Sequence, residues 1–265
     1  MDKTKLLVLA AGKGERLRPL TNDKPKCLIE LFGKSLLERQ IDLYHELGIN
    51  DISIVTGYKS EQINFPNTTI IQNKNYASTN MLETLFCAKH KLLDSTIVSY
   101  GDIIFEKNVI KSLINSNDEI SLIVDKQWKK YWKKRFSNPL SDAESLIIDG
   151  EFITEIGQKV TSYEKICAQY IGLMKFQKSG ISLIKEYYET AKEQSKSGIN
   201  VLNELIPFQK SYLTDFLNSL IKINTKIKAI PINNGWLEID TISDLKLYES
   251  LKKNNEINTF FNEAN

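Results

Sequence analysis

Cysteine, histidine and an excess of charge are what this sequence has least of. Cysteine occurs 3 times in 265 residues, at Cys27, Cys87 and Cys167. An odd number at wide spacing, with no Cys-x-x-Cys, argues against a disulfide framework and a zinc ribbon. Cys27 has no evident His or Asn partner and reads as packing. The 2 histidines, His45 and His90, both fall in stretches of helical pattern, so no Ser-His-Asp arrangement is visible. Lys+Arg is 35 against Asp+Glu 33, a net charge of +2. There is no basic field of the kind that binds nucleic acid or a membrane surface, and neither partner is expected. No apolar run approaches the roughly 18 residues of a membrane span. The first, Leu6–Ala11, is interrupted at Gly12 and is too short for the core of a signal peptide. A reducing, cytoplasmic setting is the expectation. What is present is ordinary: 42% hydrophobic and 26% charged residues, as in globular proteins. The length suits one large domain over 1–265 with a sizeable insertion and a full core. Composition leaves the oligomeric state open, a homodimer included.

The apolar pattern alternates between two periods. Residues 5–11, Lys-Leu-Leu-Val-Leu-Ala-Ala, form a continuous run of the kind buried on both faces of a parallel sheet. Residues 35–47 repeat at helical spacing, with Ser35 as N-cap, Glu38 three residues on and Gly48 as C-cap. Residues 51–56 form the next strand, and the crossover predicts parallel pairing. Strands over 68–72, 95–100 and 120–124 alternate with helices over 81–92 and 107–114. An open α/β sheet follows. Residues 126–165 break this rhythm and read as an excursion from the sheet, with Asp149-Gly150 as a hairpin signal. A strand at 168–176, helices over 179–194 and 203–223, a strand at 227–231 and a helix over 242–250 complete the pattern. The polar tail from 253 reads as loose.

Chemistry concentrates in the first thirty residues. Gly12 and Gly14 follow the first strand, then come Arg16, Arg18 and Lys24-Pro25-Lys26. Glycines let backbone N–H groups approach phosphate oxygens, and cations just beyond can neutralise a triphosphate. The pattern is neither a Walker A loop nor a dinucleotide fingerprint, since Leu17 stands where the third glycine would be.

The run Leu9-Ala10-Ala11-Gly12-Lys13-Gly14-Glu15-Arg16-Leu17-Arg18-Pro19-Leu20-Thr21, followed by Lys24-Pro25-Lys26, resembles the signature of the nucleotidyltransferases that activate sugar phosphates, phosphocholine and related small phospho-compounds. The resemblance implies a Rossmann-like mixed α/β fold, the nucleotide-diphospho-sugar transferase fold, with mostly parallel strands, flanking helices and a small inserted acceptor-binding subdomain at 126–165. It further implies that Lys13, Arg16 and Lys26 contact the triphosphate and that the backbone at Ala10–Gly12 reads the base. Leu9, Gly14 and Glu15 complete that nucleotide-binding loop.

Two acidic positions extend the case. Gly101-Asp102 ends a predicted strand, where open α/β sheets place their sites. Glu238-x-Asp240 can turn both carboxylates to one face of an extended segment. Such hard oxygen ligands suit Mg²⁺, although Asp102 as a helix cap and Glu238 as a solvated residue are the plainer readings. The resemblance implies Mg²⁺ on Asp102 and Asp240, with Glu238 as an additional or competing ligand. Lys26, Arg16 and Asp102 are the catalytic candidates. Asn73-x-x-Tyr76-x-x-Thr79-Asn80 offers N-caps for the following helix. By resemblance to the phosphocholine and phosphonate cytidylyltransferases, it offers a nucleotide site at Asn73, Thr79 and Asn80 that reads CTP.

The insertion supplies the acceptor candidates: Asp125, Trp128, Trp132, Arg135, Asn138, Asp142 and Glu144. Two tryptophans four apart share a face if helical. An aromatic face beside carboxylates suits a cationic amine, although packing of the tryptophans on the sheet is the plainer alternative. The window Trp132–Glu144 also resembles cytidylyltransferases of capsule modification, some of which act on glutamine phosphate. By the same resemblance, Lys159, Gln169 and Tyr170 close the site. The activity expected is transfer of CMP from CTP to a small amine-bearing phosphate or phosphonate, such as glutamine phosphate, phosphocholine or 2-aminoethylphosphonate, for activation of a cell-surface polysaccharide or capsule modification. A hexose-1-phosphate uridylyl- or thymidylyltransferase and a non-catalytic nucleotide binder are the alternatives.

Overall fold

The computed structural model describes residues 4–263. It begins with β1 (Thr4–Ala10), a loop, and a small ribbon of β2 (Glu30–Leu31) and β3 (Lys34–Ser35). Then come α1 (Leu36–Glu46), β4 (Ile52–Thr56), β5 (Thr68–Gln72) and α2 (Met81–Cys87). β6 (Ser95–Tyr100), β7 (Ile103–Phe105), α3 (Lys107–Ile114), β8 (Ile120–Asp125) and α4 (Trp128–Arg135) follow. The remainder is β9 (Glu144–Asp149), β10 (Phe152–Lys159), β11 (Gln169–Gln177), α5 (Ser179–Gln194), α6 (Leu213–Lys222), β12 (Lys228–Ile232), β13 (Trp236–Glu238) and α7 (Ile242–Lys253).

Nine strands form one sheet in the order β5-β4-β1-β6-β11-β8-β12-β10-β9. β1 pairs in parallel with β4 and β6, whereas β11 runs antiparallel between β6 and β8. The continuous apolar run of β1 is explained by its central place. Leu6, Val8 and Ala10 enter one core, and Leu7 and Leu9 enter the other, as the two-residue period of a strand requires. Helices α1, α3, α4 and α7 cover the first face, and α2, α5 and α6 the second. The mixed, mostly parallel sheet between helical layers is the fold class expected. Ser35 Oγ accepts from the Glu38 N–H, so the N-cap of α1 forms as its sequence predicts. Among the described residues no helix is long and apolar enough to cross a membrane.

The structure corrects four expectations. The 126–165 segment does not leave the sheet, because its hairpin β9–β10 joins the edge beside β12. The helix expected over 203–223 starts only at Leu213. Pro207 stands inside that stretch, and proline cannot donate the N–H a helix interior needs. The helix expected over 81–92 ends at Cys87 in a short 3₁₀ turn. The tail is not loose as far as Glu263, since Ile257, Phe260 and Phe261 are buried in the first core, and its last two positions lie outside the described residues. Their spacing is one helical turn, a signal masked by the polar residues around them.

One local detail places the site. β7 leaves the main sheet after Tyr100 and pairs antiparallel with β13, with Ile103 opposite Glu238. The Ile239 N–H then donates to the Asp102 carbonyl at 3.0 Å. Residues far apart in sequence are thereby fixed side by side.

Candidate active site

The loop after β1 turns at Gly14, whose φ is +63°. A Cβ there would lie 3.0 Å from the Lys26 Cβ, so only glycine lets the loop press against the lysine stem. Lys26 Nζ donates to Asp102 Oδ2 at 2.7 Å and to Asp240 Oδ1 at 2.9 Å. Arg16 forms an ion pair with the other Asp240 oxygen. Two cations and two carboxylates thus form one neutral cluster. Burial opposes the Lys26 charge, but Asp102, Asp240 and Glu238 outweigh it and hold its pKa above the usual value. The second Asp102 oxygen, Oδ1, is buried with no hydrogen-bond partner among the described residues. Behind the lysine, burial pushes the Cys27 thiol up to about 12, which makes it an inert packing group.

This cluster lies in a cavity of about 730 Å³, within the usual range for small-ligand sites. It is lined by the loop from Leu9 and Ala10 through Gly12, Lys13, Gly14, Glu15 and Arg16, by Asn80, by Lys26, Gly101, Asp102, Glu238 and Asp240, and by Trp132, Asp142, Glu144, Gln169 and Tyr170. There Trp132 Nε1 donates to Asp142 Oδ2 at 3.0 Å. Gln169 brackets Glu144, accepting from its N–H and donating to its carbonyl. Glu144 keeps solvent contact, but desolvation in the cavity wall, then Asp215, Asp142 and Glu238, push its carboxyl up to about 7. Asp142 and Glu144 thus bring two carboxylates to this wall.

Other candidates lie outside this wall. Asn73 is buried, donates to Thr79 and Thr84, and accepts from the Asn75 N–H. Its donors and those of Thr79 shape the 73–80 loop, and Ala11 likewise accepts from the Tyr58 N–H. Asp125 is buried and accepts from the N–H groups of Gln127 and Asn234 and from Trp236 Nε1. Trp128 packs edge-on to Trp132 and against Tyr163, so the two tryptophans share a face that meets core. Arg135 is only 1% exposed, paired with Glu238 Oε2 at 2.6 Å and Asp244 Oδ1 at 2.9 Å. Asn138 caps a 3₁₀ turn. Lys159 pairs through its backbone with Glu144 and is exposed. Of Trp128 and Trp132, only Trp132 lines the cavity.

The sequence profile of the MobA-like NTP transferase domain matches residues 6–169. The chain is 39% identical over 252 residues to a CTP:phosphoglutamine cytidylyltransferase of Campylobacter jejuni, covering 91% of this chain and 97% of that protein. The chain belongs to the MobA-like NTP transferase domain family. It is therefore an enzyme, a nucleotidyltransferase. It is also 37% identical over 112 residues to a choline-phosphate cytidylyltransferase of Streptococcus pneumoniae, covering 41% of this chain and 48% of that one. The solved structure of a CTP:phosphocholine cytidylyltransferase from Streptococcus pneumoniae superposes with a TM-score of 0.71 at 22% identity, over 94% of this chain and 99% of that chain. That likeness shows the shared fold.

The cavity has walls that sequence reasoning missed. Tyr100, Trp236, and Tyr212–Thr214 at the start of α6 all line it, as does Tyr76, which the sequence offered only as part of the 73–80 motif. Tyr76 seats against Gly57, where a Cβ would fall 2.6 Å from the tyrosine Cβ. The 203–214 segment reaches the site because the Asn80 N–H donates to Gln209 O and Asn80 Nδ2 to Lys210 O. No motif announces that segment; only Asn80, read as a nucleotide contact or a cap, pointed to its anchor.

Proposed function

We propose that this nucleotidyltransferase moves CMP from CTP to the phosphate of a small amine-bearing acceptor and releases pyrophosphate. An acceptor phosphate oxygen attacks the α-phosphorus in line. The new bond is acceptor O–Pα, and the bond that breaks joins Pα to the bridging oxygen of the leaving pyrophosphate. A phosphomonoester with a second pKa near 6 is already largely dianionic, so no general base is needed. Arg16 and Lys26 stabilise the charge gathering on the triphosphate. Lys13 and the backbone from Leu9 to Glu15 seat the nucleotide, with Asn80 and Gly101 beside it.

Asp102 and Asp240 fit a divalent cation, and Mg²⁺ is the reading preferred. Asp102 Oδ1 is a buried carboxylate oxygen without a partner, and both carboxylates reach one Lys26 Nζ. Glu238 is tied to Arg135, which leaves those two as the protein ligands. Among the described residues no group of three His, Cys, Asp or Glu side chains forms a cage; Mg²⁺ commonly relies on water and substrate phosphates for the remainder. When bound, such an ion supplies charge neutralisation and a template for the two anions.

The observation that carries the acceptor reading is the pair of carboxylates, Asp142 and Glu144, that line the same cavity as the cationic loop. It favours a primary ammonium over a quaternary one, because Trp128 is turned into the core and Trp132 is spent on Asp142. The similarity to the phosphoglutamine enzyme over most of both chains supports glutamine phosphate as the first acceptor to try. A cytoplasmic enzyme supplying a CDP-activated group for cell-surface polysaccharide or capsule modification follows from that choice. The test is pyrophosphate release with Mg²⁺, crossing CTP, UTP, dTTP and ATP with glutamine phosphate, phosphocholine, 2-aminoethylphosphonate and glucose-1-phosphate. Release with CTP and glutamine phosphate is expected. Release only with UTP or dTTP and the hexose phosphate overturns the reading.

A further inference from the structure

Gln40 sits on the apolar face of α1 and is only 1% exposed. Its Nε2 donates to Tyr100 O at 2.8 Å and to Ile103 O at 2.7 Å. Its Oε1 accepts from Ser99 Oγ at 2.9 Å. Carbonyls cannot donate, so these partners fix the orientation of the amide. The two carbonyls flank Gly101 and Asp102, where the chain leaves the nine-stranded sheet for β7. One amide therefore clamps the backbone on either side of the carboxylate that holds Lys26.

We infer that Gln40 is a positioning residue for Asp102. Leaving the sheet deprives carbonyls of ladder partners, and a buried carbonyl without a donor is destabilising. Gln40 supplies a donor at both ends of the step, shared at Tyr100 O with a longer contact from Ser99 Oγ at 3.3 Å. It also fixes where the step lies, because its own Oε1 is anchored to Ser99 on the same strand. The Asp102 carboxylate has few other constraints: Oδ2 meets Lys26, and Oδ1 has no hydrogen-bond partner among the described residues. Its backbone carbonyl is held by Ile239. Gln40 and Ile239 therefore set the place of Asp102 relative to Asp240, and a misplacement of about 1 Å at a reacting centre can cost ~10²-fold in rate. The inference rests on Asp102 working in the reaction, as proposed above.

Gln177 provides an internal control. It is also buried, and its Nε2 also donates to two carbonyls, Ser116 O and Asp118 O. It lies at the other end of the sheet, in register with Ser95. The experiment compares Gln40→Met, Gln177→Met and Asp102→Asn in pyrophosphate release with CTP and glutamine phosphate, with thermal midpoints and equilibrium CTP binding measured in parallel. Both glutamine variants are expected to lower the midpoint. Only Gln40→Met is expected to lower kcat, by tenfold or more, with the dissociation constant for CTP within twofold. If Gln40→Met keeps kcat within twofold, or Gln177→Met loses as much, the inference is overturned. If Asp102→Asn keeps its activity, the site reading fails first and is identified as the cause. Should Gln40→Met not fold, Ser99→Ala decides: kcat down threefold or more supports the clamp, and unchanged kcat overturns it.

Discussion

The two ends of the sheet each bury a lysine, and the two lysines behave in opposite ways. At the carboxyl ends of the parallel strands, Lys26 meets Asp102 and Asp240 and is held charged, its pKa raised. At the other end, among the described residues, Lys175 Nζ donates to the carbonyls of Ile114 and Ser116 and to no carboxylate. Burial, with a smaller push from Lys178 and only a weak opposing pull from Asp118, lowers its pKa to about 8. Burial alone disfavours an ammonium; full carboxylate charges reverse the outcome and carbonyl dipoles do not. One lysine is thus a structural donor that is costly to keep charged. The other belongs to an ionic cluster that, on the proposed assignment, an incoming triphosphate would rearrange by competing for the same cations.

That contrast can be broken in graded steps. The largest effect is expected from Arg135→Met, which leaves Glu238 and Asp244 without their buried cation. Removing one partner of such a pair typically costs about 3–5 kcal/mol, read as a urea unfolding free energy. Next, Asp102→Asn should lower kcat by ~10²–10³, the usual cost of one lost charge-stabilising contact, with the circular dichroism spectrum unchanged. Lys175→Met, at the opposite end, should leave kcat within about twofold and so separate the two lysines.

Glu144→Gln should raise the KM for an ammonium-bearing acceptor by about tenfold, near 1.4 kcal/mol. In the parent enzyme that KM should rise as pH falls through about 7, where Glu144 takes up its proton. The variant should lack this component, leaving only the acceptor's own ionisation near pH 6. A KM that stays level in both would sink the carboxylate reading.

The smallest effect is a slope. The Lys175 pKa of about 8 lies below its ordinary value of 10.5. Between those values the unfolded chain holds a proton that the folded one has shed, so stability rises with pH. Relative to Lys175→Met, the parent should gain stability between pH 8 and 10, by under about 1.4 kcal/mol per pH unit. Urea midpoints across that range measure it.

The same contrast separates what could be read from the sequence from what could not. The Leu9–Lys26 loop was legible because its residues are contiguous and their types carry the chemistry. Its strand and turn were legible as well, since β1 is buried on both faces. The insertion was harder. Trp128 and Trp132 announce a shared face, but spacing does not say whether that face meets a ligand or the core, and here Tyr163 and Trp236 fill the space. Arg135 carries the same ambiguity, because a guanidinium suits a substrate phosphate as well as two buried carboxylates. Asn73 and Thr79 have side chains suited to a base, but they bond to each other first. The 203–214 wall owes its place to backbone carbonyls that accept from Asn80, which no side-chain pattern encodes. Gln40 did leave a trace: it occupies the helical stripe of Leu36, Leu37, Ile41 and Tyr44, a polar residue where an apolar one was due.

Lys26 and Asp240 touch across 214 positions of sequence, through a pairing of β7 with β13 that forms only when the last quarter of the chain arrives. The family match ends at residue 169, well before that quarter. On the proposed assignment, a chain that stops before the segment carrying Asp240 would lack both Asp240 and the Ile239 N–H that holds the Asp102 turn. A protein cut between these two regions should regain its chemistry only when both pieces are mixed, since neither piece contains the whole centre.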